Sequence, residues 1–174
     1  MNLYLMRHGI ALPADDPSVA HDGERPLTPK GIKRTRKSAR GLRRLNIPFD
    51  VILTSPVLRA RQTADIVAGV LGAEALVQEL SSLAPESTVD HLLFGLTRYQ
   101  KYEHLLLVGH EPLLGNALSF LLGDQRANGA MVEFKKGALC CFAIDALSPP
   151  GRAKLRWFLT PKQLRLLGER SFKN

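Results

Sequence analysis

Short, continuously apolar runs alternate along this chain with longer stretches of helical period. Leu3–Met6, Val51–Thr54, Ala75–Val77 and Leu105–Val108 are apolar or nearly so and very short. That pattern suits strands covered on both faces, as in a parallel sheet. Met131–Phe134, Leu139–Ile144 and Lys154–Leu159 predict three further strands, with Lys136-Gly137 as a hairpin turn and Pro149-Pro150-Gly151 as a turn before the last strand. Thr28-Pro29, Ser55-Pro56 and Thr160-Pro161 each place a capping hydroxyl before a proline at a first helical position, and Pro112 opens a helix after Glu111. Ile32, Ala39 and Leu42 give the first helix one apolar stripe on an otherwise basic surface. No repeat, low-complexity tract or linker interrupts the series. The pattern predicts an α/β fold: a single three-layer domain over residues 1–174, with a mostly parallel central sheet flanked by helices.

Composition narrows the class. A chain of 174 residues, 45% apolar and 23% charged, is globular and long enough to bury an ordinary core. No apolar run approaches the roughly 20 residues of a membrane helix. The N-terminus enters Leu3-Tyr4-Leu5-Met6 without a basic leader or small-residue cleavage site, so no signal peptide, no membrane association and a cytoplasmic location are expected. Cys140 and Cys141 are adjacent, and neighbours in a strand face opposite ways, which predicts free thiols, one buried and one partly exposed.

The net charge of +8 sits in one segment. Lys30, Lys33, Arg34, Arg36, Lys37, Arg40, Arg43 and Arg44 fall between Lys30 and Arg44 with no acid among them, and the other 16 basic residues are balanced by 16 acidic ones. This helix reads as a solvated face, or as a dock for an acidic partner such as a phosphorylated protein. Nucleic acid is not expected as a partner, because no aromatic residue interleaves with the charges and no nucleic-acid motif is present.

Three motifs follow three of the predicted strands: Arg7-His8-Gly9 after Leu3–Met6, Ser55-Pro56-Val57-Leu58-Arg59-Ala60-Arg61-Gln62-Thr63 after Val51–Thr54, and Gly109-His110-Glu111-Pro112 after Leu105–Val108. If these strands are parallel neighbours, the motifs meet in the crevice at their carboxyl ends. Two histidines and two arginines would converge there, which by charge is a phosphate site. A phosphoryl centre repels nucleophiles, so the site must neutralise its oxygens while one neutral imidazole attacks in line. Gly9 would let the backbone turn tightly beside the anion. No His-x-x-x-His or Cys-x-x-Cys spacing occurs, so neither a catalytic metal nor another cofactor is expected. His21, His91 and His104 are expected at the surface or satisfied by neighbours.

These three motifs, in this order, resemble the histidine phosphatase superfamily (phosphoglycerate mutase-like), and in spacing its compact SixA-type phosphohistidine phosphatase branch. Arg25-Pro26-Leu27-Thr28 matches a stretch common in that branch. The resemblance implies a phosphoglycerate mutase-like fold and a phosphatase with His8 as nucleophile. It further implies that Arg7 and Arg59 bind phosphate and that His110 is a second, cationic histidine. Arg25 becomes a possible substrate contact. Mutase relatives carry a glutamate proton donor after the third strand; here Gln78-Glu79-Leu80 stands there without the surrounding motif, so Glu79 is a candidate acid or else a surface carboxylate. Glu111 is the other nearby carboxylate, read as a helix N-terminal charge. With no insertion for a lid, the site should be shallow and suited to phosphohistidine on a protein. The alternatives are a small-molecule phosphomonoesterase or mutase-like enzyme, or a basic docking module without catalysis.

Overall fold

The computed structural model describes residues 1–123, 132–145 and 153–169. Six strands, β1 (Asn2–Arg7), β2 (Val51–Thr54), β3 (Val77–Glu79), β4 (His104–Gly109), β5 (Leu139–Ile144) and β6 (Ala153–Leu159), form one sheet in the order β3-β2-β4-β1-β5-β6. β3, β2, β4 and β1 pair in parallel, and β5 is antiparallel to both β1 and β6. Among the described residues, five α-helices flank the sheet: α1 (Pro29–Arg43), α2 (Leu58–Leu71), α3 (Val89–Leu96), α4 (Leu113–Leu121) and α5 (Pro161–Glu169).

Alternate side chains of each strand go to opposite cores. Leu3, Leu5, Val51, Leu53, Leu105, Leu107, Cys140 and Phe142 pack with the leucines of α3 and α4. Tyr4, Met6, Ile52, Leu106, Val108 and Cys141 pack with Ala39 and Leu42 of α1, Ala64 and Val67 of α2 and Leu164 of α5. The central strands therefore have no polar face, which is why their sequences read as unbroken apolar runs. The fold is the predicted three-layer α/β sandwich.

Local differences have physical causes. The third strand lies at Val77–Glu79 rather than Ala75–Val77, because Glu74–Leu76 forms a 3₁₀ turn. As an edge strand with one neighbour, β3 tolerates Gln78 and Glu79. Both cysteines are buried, one in each core, since β5 is covered by helices on both sides. Val132–Phe134 is loop and not strand, while Met131 and Pro149-Pro150-Gly151 lie outside the described residues. The turn at Lys136-Gly137 is present, closed by Ala138 N–H donating to Lys135 O at 2.8 Å with Gly137 at φ 81°.

Thr28 caps α1 by accepting from Gly31 N at 2.9 Å, and Thr160 and Gln163 cap α5 reciprocally. Ser55 does not cap α2: Val57 stands at that position, and the Ser55 hydroxyl is engaged by His110 instead. α4 begins at Leu113, with Pro112 as its cap residue.

The inward face of α1 is mostly small: Gly31, Thr35, Ser38, Ala39 and Gly41 are buried with Leu42, and Ile32 is half-buried. This lets α5 approach closely. A Cβ at Gly41 would collide with the Leu164 carbonyl oxygen, and one at Gly168 would lie 2.9 Å from Gly41 N. Gly41→Ala is expected to cost about 1–3 kcal/mol by forcing the helices apart. A urea titration checks this; an unchanged midpoint would contradict the tight contact.

Candidate active site

β1, β4 and β2 are adjacent and parallel, so the three motifs that follow them emerge side by side. His8 N–H donates to Gly109 O at 3.0 Å, and Ser55 N–H to Val108 O at 3.0 Å, extending the sheet by one residue at its carboxyl edge. The His8 and His110 rings lie 5.0 Å apart, centroid to centroid. His8, His110 and Arg59 are all buried. The structure thus brings together Arg7, His8, Arg59 and His110, with Arg25 beside Arg59.

His8 Nδ1 is 2.7 Å from the Gly9 carbonyl oxygen. A carbonyl only accepts, so Nδ1 carries the proton and Nε2 keeps its lone pair. Burial, then the nearby His110, outweigh the Gly9 bond, and with Arg59 and Arg7 they lower the His8 pKa to about 3. The ring is neutral at working pH, as a nucleophile requires. Gly9 is needed for closeness rather than for turning: a Cβ there would sit 2.5 Å from Thr35 Oγ1. Gly9 N–H donates to Thr63 Oγ1 at 3.0 Å, and the Thr63 hydroxyl donates to Arg59 O at 2.7 Å, so α2 holds the β1 loop.

His110 Nε2 lies 2.9 Å from Ser55 Oγ, while Nδ1 is buried with no partner in the protein. Burial, then Arg59, Arg7 and Arg25 against the opposing Asp22, lower its pKa to about 4. Without an anion beside it, this environment favours the neutral imidazole of His110. A phosphoryl dianion would reverse the sign of the local field and favour the imidazolium.

Arg7 N–H and Nη1 donate to Ala138 O (3.1 Å) and Phe134 O (2.8 Å), anchoring the 134–138 loop. Arg59, the second residue of α2, donates from Nη1 to Asp22 O (2.8 Å) and from Nη2 to Asp22 Oδ2 (3.0 Å). Arg25 pairs with the other oxygen of the same carboxylate at 2.5 Å and donates to Leu12 O. Partial desolvation alone would raise the Asp22 carboxyl, but Arg25 and Arg59 hold it below its ordinary value. The Nε atoms of Arg7, Arg25 and Arg59 are buried without partners. Arg7, Arg59 and the neighbouring Arg25 concentrate positive charge beside the two histidines, which suits a tetrahedral anion.

Asp22 carries no sequence signal beyond lying three residues before Arg25. Lys136, from the turn after Phe134, was likewise not singled out as a site residue. Its ammonium is destabilised first by partial burial and then by Arg7, Arg25 and Arg59, which places it among these cations.

Glu79 is ion-paired with Arg61 on the exposed side of α2 and is not among the charges acting on either histidine. Glu111 is nearer. Burial raises its carboxyl pKa against the opposing pull of Arg7 and of the Gly115 amide, and Oε1 is buried without a partner. The Gly115 bond fits its reading as a helix N-terminal charge. Arg7, Glu111 and Lys136 also border a solvent-open cleft of about 880 Å³. Elsewhere, His104 Nδ1 is satisfied by the Tyr4 hydroxyl at 3.0 Å. Among the described residues, no group of three or more His, Cys, Asp or Glu side chains converges to hold a metal, and no helix is long and apolar enough to cross a membrane.

The two buried histidines set a stability profile. Each stays neutral when folded but takes a proton when unfolded below about pH 6.5. Their contribution is complete above that pH and is withdrawn as pH falls toward 4, at about 1.4 kcal/mol per histidine per pH unit. Urea titrations between pH 7 and 5 are expected to show this slope. A slope unchanged in a His8→Ala/His110→Ala double variant would contradict it.

The family model of the histidine phosphatase superfamily (branch 1) matches residues 3–83. Phosphohistidine phosphatase SixA of Escherichia coli (strain K12) is 28% identical over 169 residues, 95% of this chain and 98% of that protein. An uncharacterised protein of Picosynechococcus sp. is 48% identical over 118 residues, 66% of this chain and 69% of its own length. The structure of the protein histidine phosphatase SixA complexed with tungstate superposes with a TM-score of 0.79 at 26% identity, covering 94% of this chain and 99% of that one. With a sheet and motif order that match its fold, the chain belongs to the histidine phosphatase superfamily, as a phosphatase of the kind that uses a histidine nucleophile.

Proposed function

We propose that this chain is a metal-independent phosphohistidine phosphatase acting on proteins, with His8 as the residue that carries the phosphoryl group. The observation that carries the reading is the His8 ring: Nδ1–H is spent on Gly9 O, so Nε2 is a bare lone pair in a buried pocket of arginines. His8 Nε2 attacks phosphorus as the bond to the leaving group breaks, and water then attacks the phosphohistidine and restores the enzyme. Arg7, Arg59 and His110 hold the equatorial oxygens through both steps, and Arg25 supports Arg59 through Asp22. The SixA-like length and motif order support a phosphoprotein substrate. So does the chemistry, since a P–N bond to imidazole breaks with less proton donation than a phosphate ester, and Glu79 is occupied by Arg61. One observation favours a second reading as a phosphomonoesterase: the Glu111 carboxyl is near enough to Arg7, and raised enough, to serve as a proton source.

The test is competition at moderate ionic strength between a phosphohistidine protein and 3-phosphoglycerate. The phosphoprotein is expected to have the higher kcat/KM; a higher value for the ester selects the second reading. Turnover should survive exhaustive chelation, and dependence on added Mg²⁺ or Zn²⁺ would overturn the metal-independent mechanism.

A further inference from the structure

The 880 Å³ cleft beside Arg7 is not used by the chemistry proposed above. Its walls come from α1, the 132–137 loop and the start of α5, closed on one side by the residues after β1 and by Glu111. Six cationic side chains line it, Arg7, Arg34, Lys135, Lys136, Lys162 and Arg165, against the two carboxylates Glu111 and Glu133. Glu133 is spent on Lys135 at 3.1 Å, and Glu111 faces Arg7. Among the described residues, neither Arg34 nor Lys162 has a carboxylate partner, and Arg165 has none within ion-pair distance. Arg34 and Arg165 come from different helices yet crowd one another: after partial burial, Arg34 is the next cause lowering the Arg165 pKa, against a weaker opposing pull from Glu169. Like charges held together with only weak opposition raise the local positive potential, which an anion relieves.

The cleft meets the His8 loop at Arg7 and Gly9. Arg7 belongs to both, and Lys136 lines the cleft while feeling Arg7, Arg25 and Arg59. Anionic groups in the cleft would thus lie one side chain away from the phosphate. The volume exceeds what a single phosphate fills, the rim is open, and the cations come from α1, the 132–137 loop and α5 rather than from one element. An extended peptide presents alternate side chains about 7 Å apart on one face, which suits cations drawn from several elements. We infer that this cleft holds a run of Asp or Glu side chains lying next to the phosphorylated residue of the protein substrate. The inference rests on the phosphoprotein reading and adds the sequence preference that the histidine chemistry alone does not supply.

The test has a binding arm and a kinetic arm. A fluorescein-labelled hexaglutamate peptide is titrated at about 50 mM salt, where screening is weak. R34E/R165E is expected to weaken binding at least about tenfold, while R36E/R40E, with the same charge change at exposed α1 positions outside the cleft, weakens it less than about threefold. Equal weakening by both pairs, or none by the first, overturns the assignment. In the kinetic arm, two phosphohistidine peptides differ only in having Glu or Gln flanks. The wild-type protein should prefer the Glu peptide through KM, and R34E/R165E should lose that preference. Equal kcat/KM on the two peptides in the wild type also overturns it. If neither peptide is turned over while hexaglutamate still binds through Arg34 and Arg165, the phosphohistidine reading falls and the basic cleft's preference for acidic side chains stands. Circular-dichroism melts check folding. Should R34E/R165E not fold, amide shifts of the wild type with hexaglutamate decide: changes centred on Thr35, Gly137 and Lys162 support the site, and changes centred elsewhere refute it.

Discussion

His8→Ala is expected to lower turnover by about 10⁴-fold or more and to abolish the phosphoenzyme, in line with losing a nucleophile whose partners act as a unit with it. In the wild-type protein, rapid quenching during turnover should trap an acid-labile, base-stable phosphoryl group on His8. His110 cannot substitute: its Nε2 is engaged with Ser55, and its ring stands 5.0 Å from that of His8. The loss should not come from unfolding. His8 is buried beside cations and is kept neutral at a cost only below about pH 6.5, so the alanine variant is expected to remain folded and its stability should depend less on pH below 6.5. An alanine variant with more than a tenth of wild-type activity, or a phosphoryl group mapped to His110, would displace the nucleophile assignment.

Much of this arrangement was legible in the sequence because the central strands are buried on both faces. Leu3–Met6 and Leu105–Val108 could be read as strands without any helical alternative, and parallel neighbours necessarily deliver their following residues to one edge. The Ser55-to-Thr63 motif was recognisable because nearly every fixed residue has a separate task. Ser55 meets His110, Arg59 pairs with Asp22, Ala60 is buried, Gln62 accepts from Leu27 N, and Thr63 holds Gly9. What stayed hidden depends on contacts between distant segments. A hydroxyl before proline reads as a helix cap, and nothing local reveals that Ser55 is drawn to a histidine 55 residues on. The α1–α5 contact escaped an apolar-stripe reading because Gly41 and Gly168 make it by backbone approach. Asp22 lies in a loop without period, and only the meeting of Arg25 with Arg59 gives it a role.

Arg59→Ala is expected to lower kcat/KM by about 10²- to 10³-fold, or roughly 2.7–4 kcal/mol of transition-state stabilisation, as for loss of one preorganised charged donor. Arg59 gives a cleaner test than Arg7, because Arg7 also anchors Phe134 O and its removal would loosen the 134–138 loop. Most of the loss should appear in kcat, since charge on the equatorial oxygens is what the fork stabilises as the phosphoryl group transfers. Arg59→Lys should recover little, because one ammonium cannot donate to Asp22 and to phosphate in the same plane. Asp22 makes the assignment separable from simple charge. Its carboxylate accepts from Arg59 Nη2 beside the backbone bond to Nη1 and neutralises part of the cationic cluster, so Asp22→Ala, which keeps only the backbone bond, should leave more positive charge beside the phosphate but a less ordered fork. Product phosphate should then bind as tightly or more tightly, while kcat falls about tenfold, the smaller effect expected when a donor is kept but misoriented. If Arg59 works only as a charge, Arg59→Lys would be active and Asp22→Ala would raise kcat/KM. If it works as a positioned fork, both variants lose kcat, and Asp22→Ala adds little to the loss already caused by Arg59→Ala, because the residue it aligns is gone. A change below threefold in Arg59→Ala would place phosphate binding on other side chains.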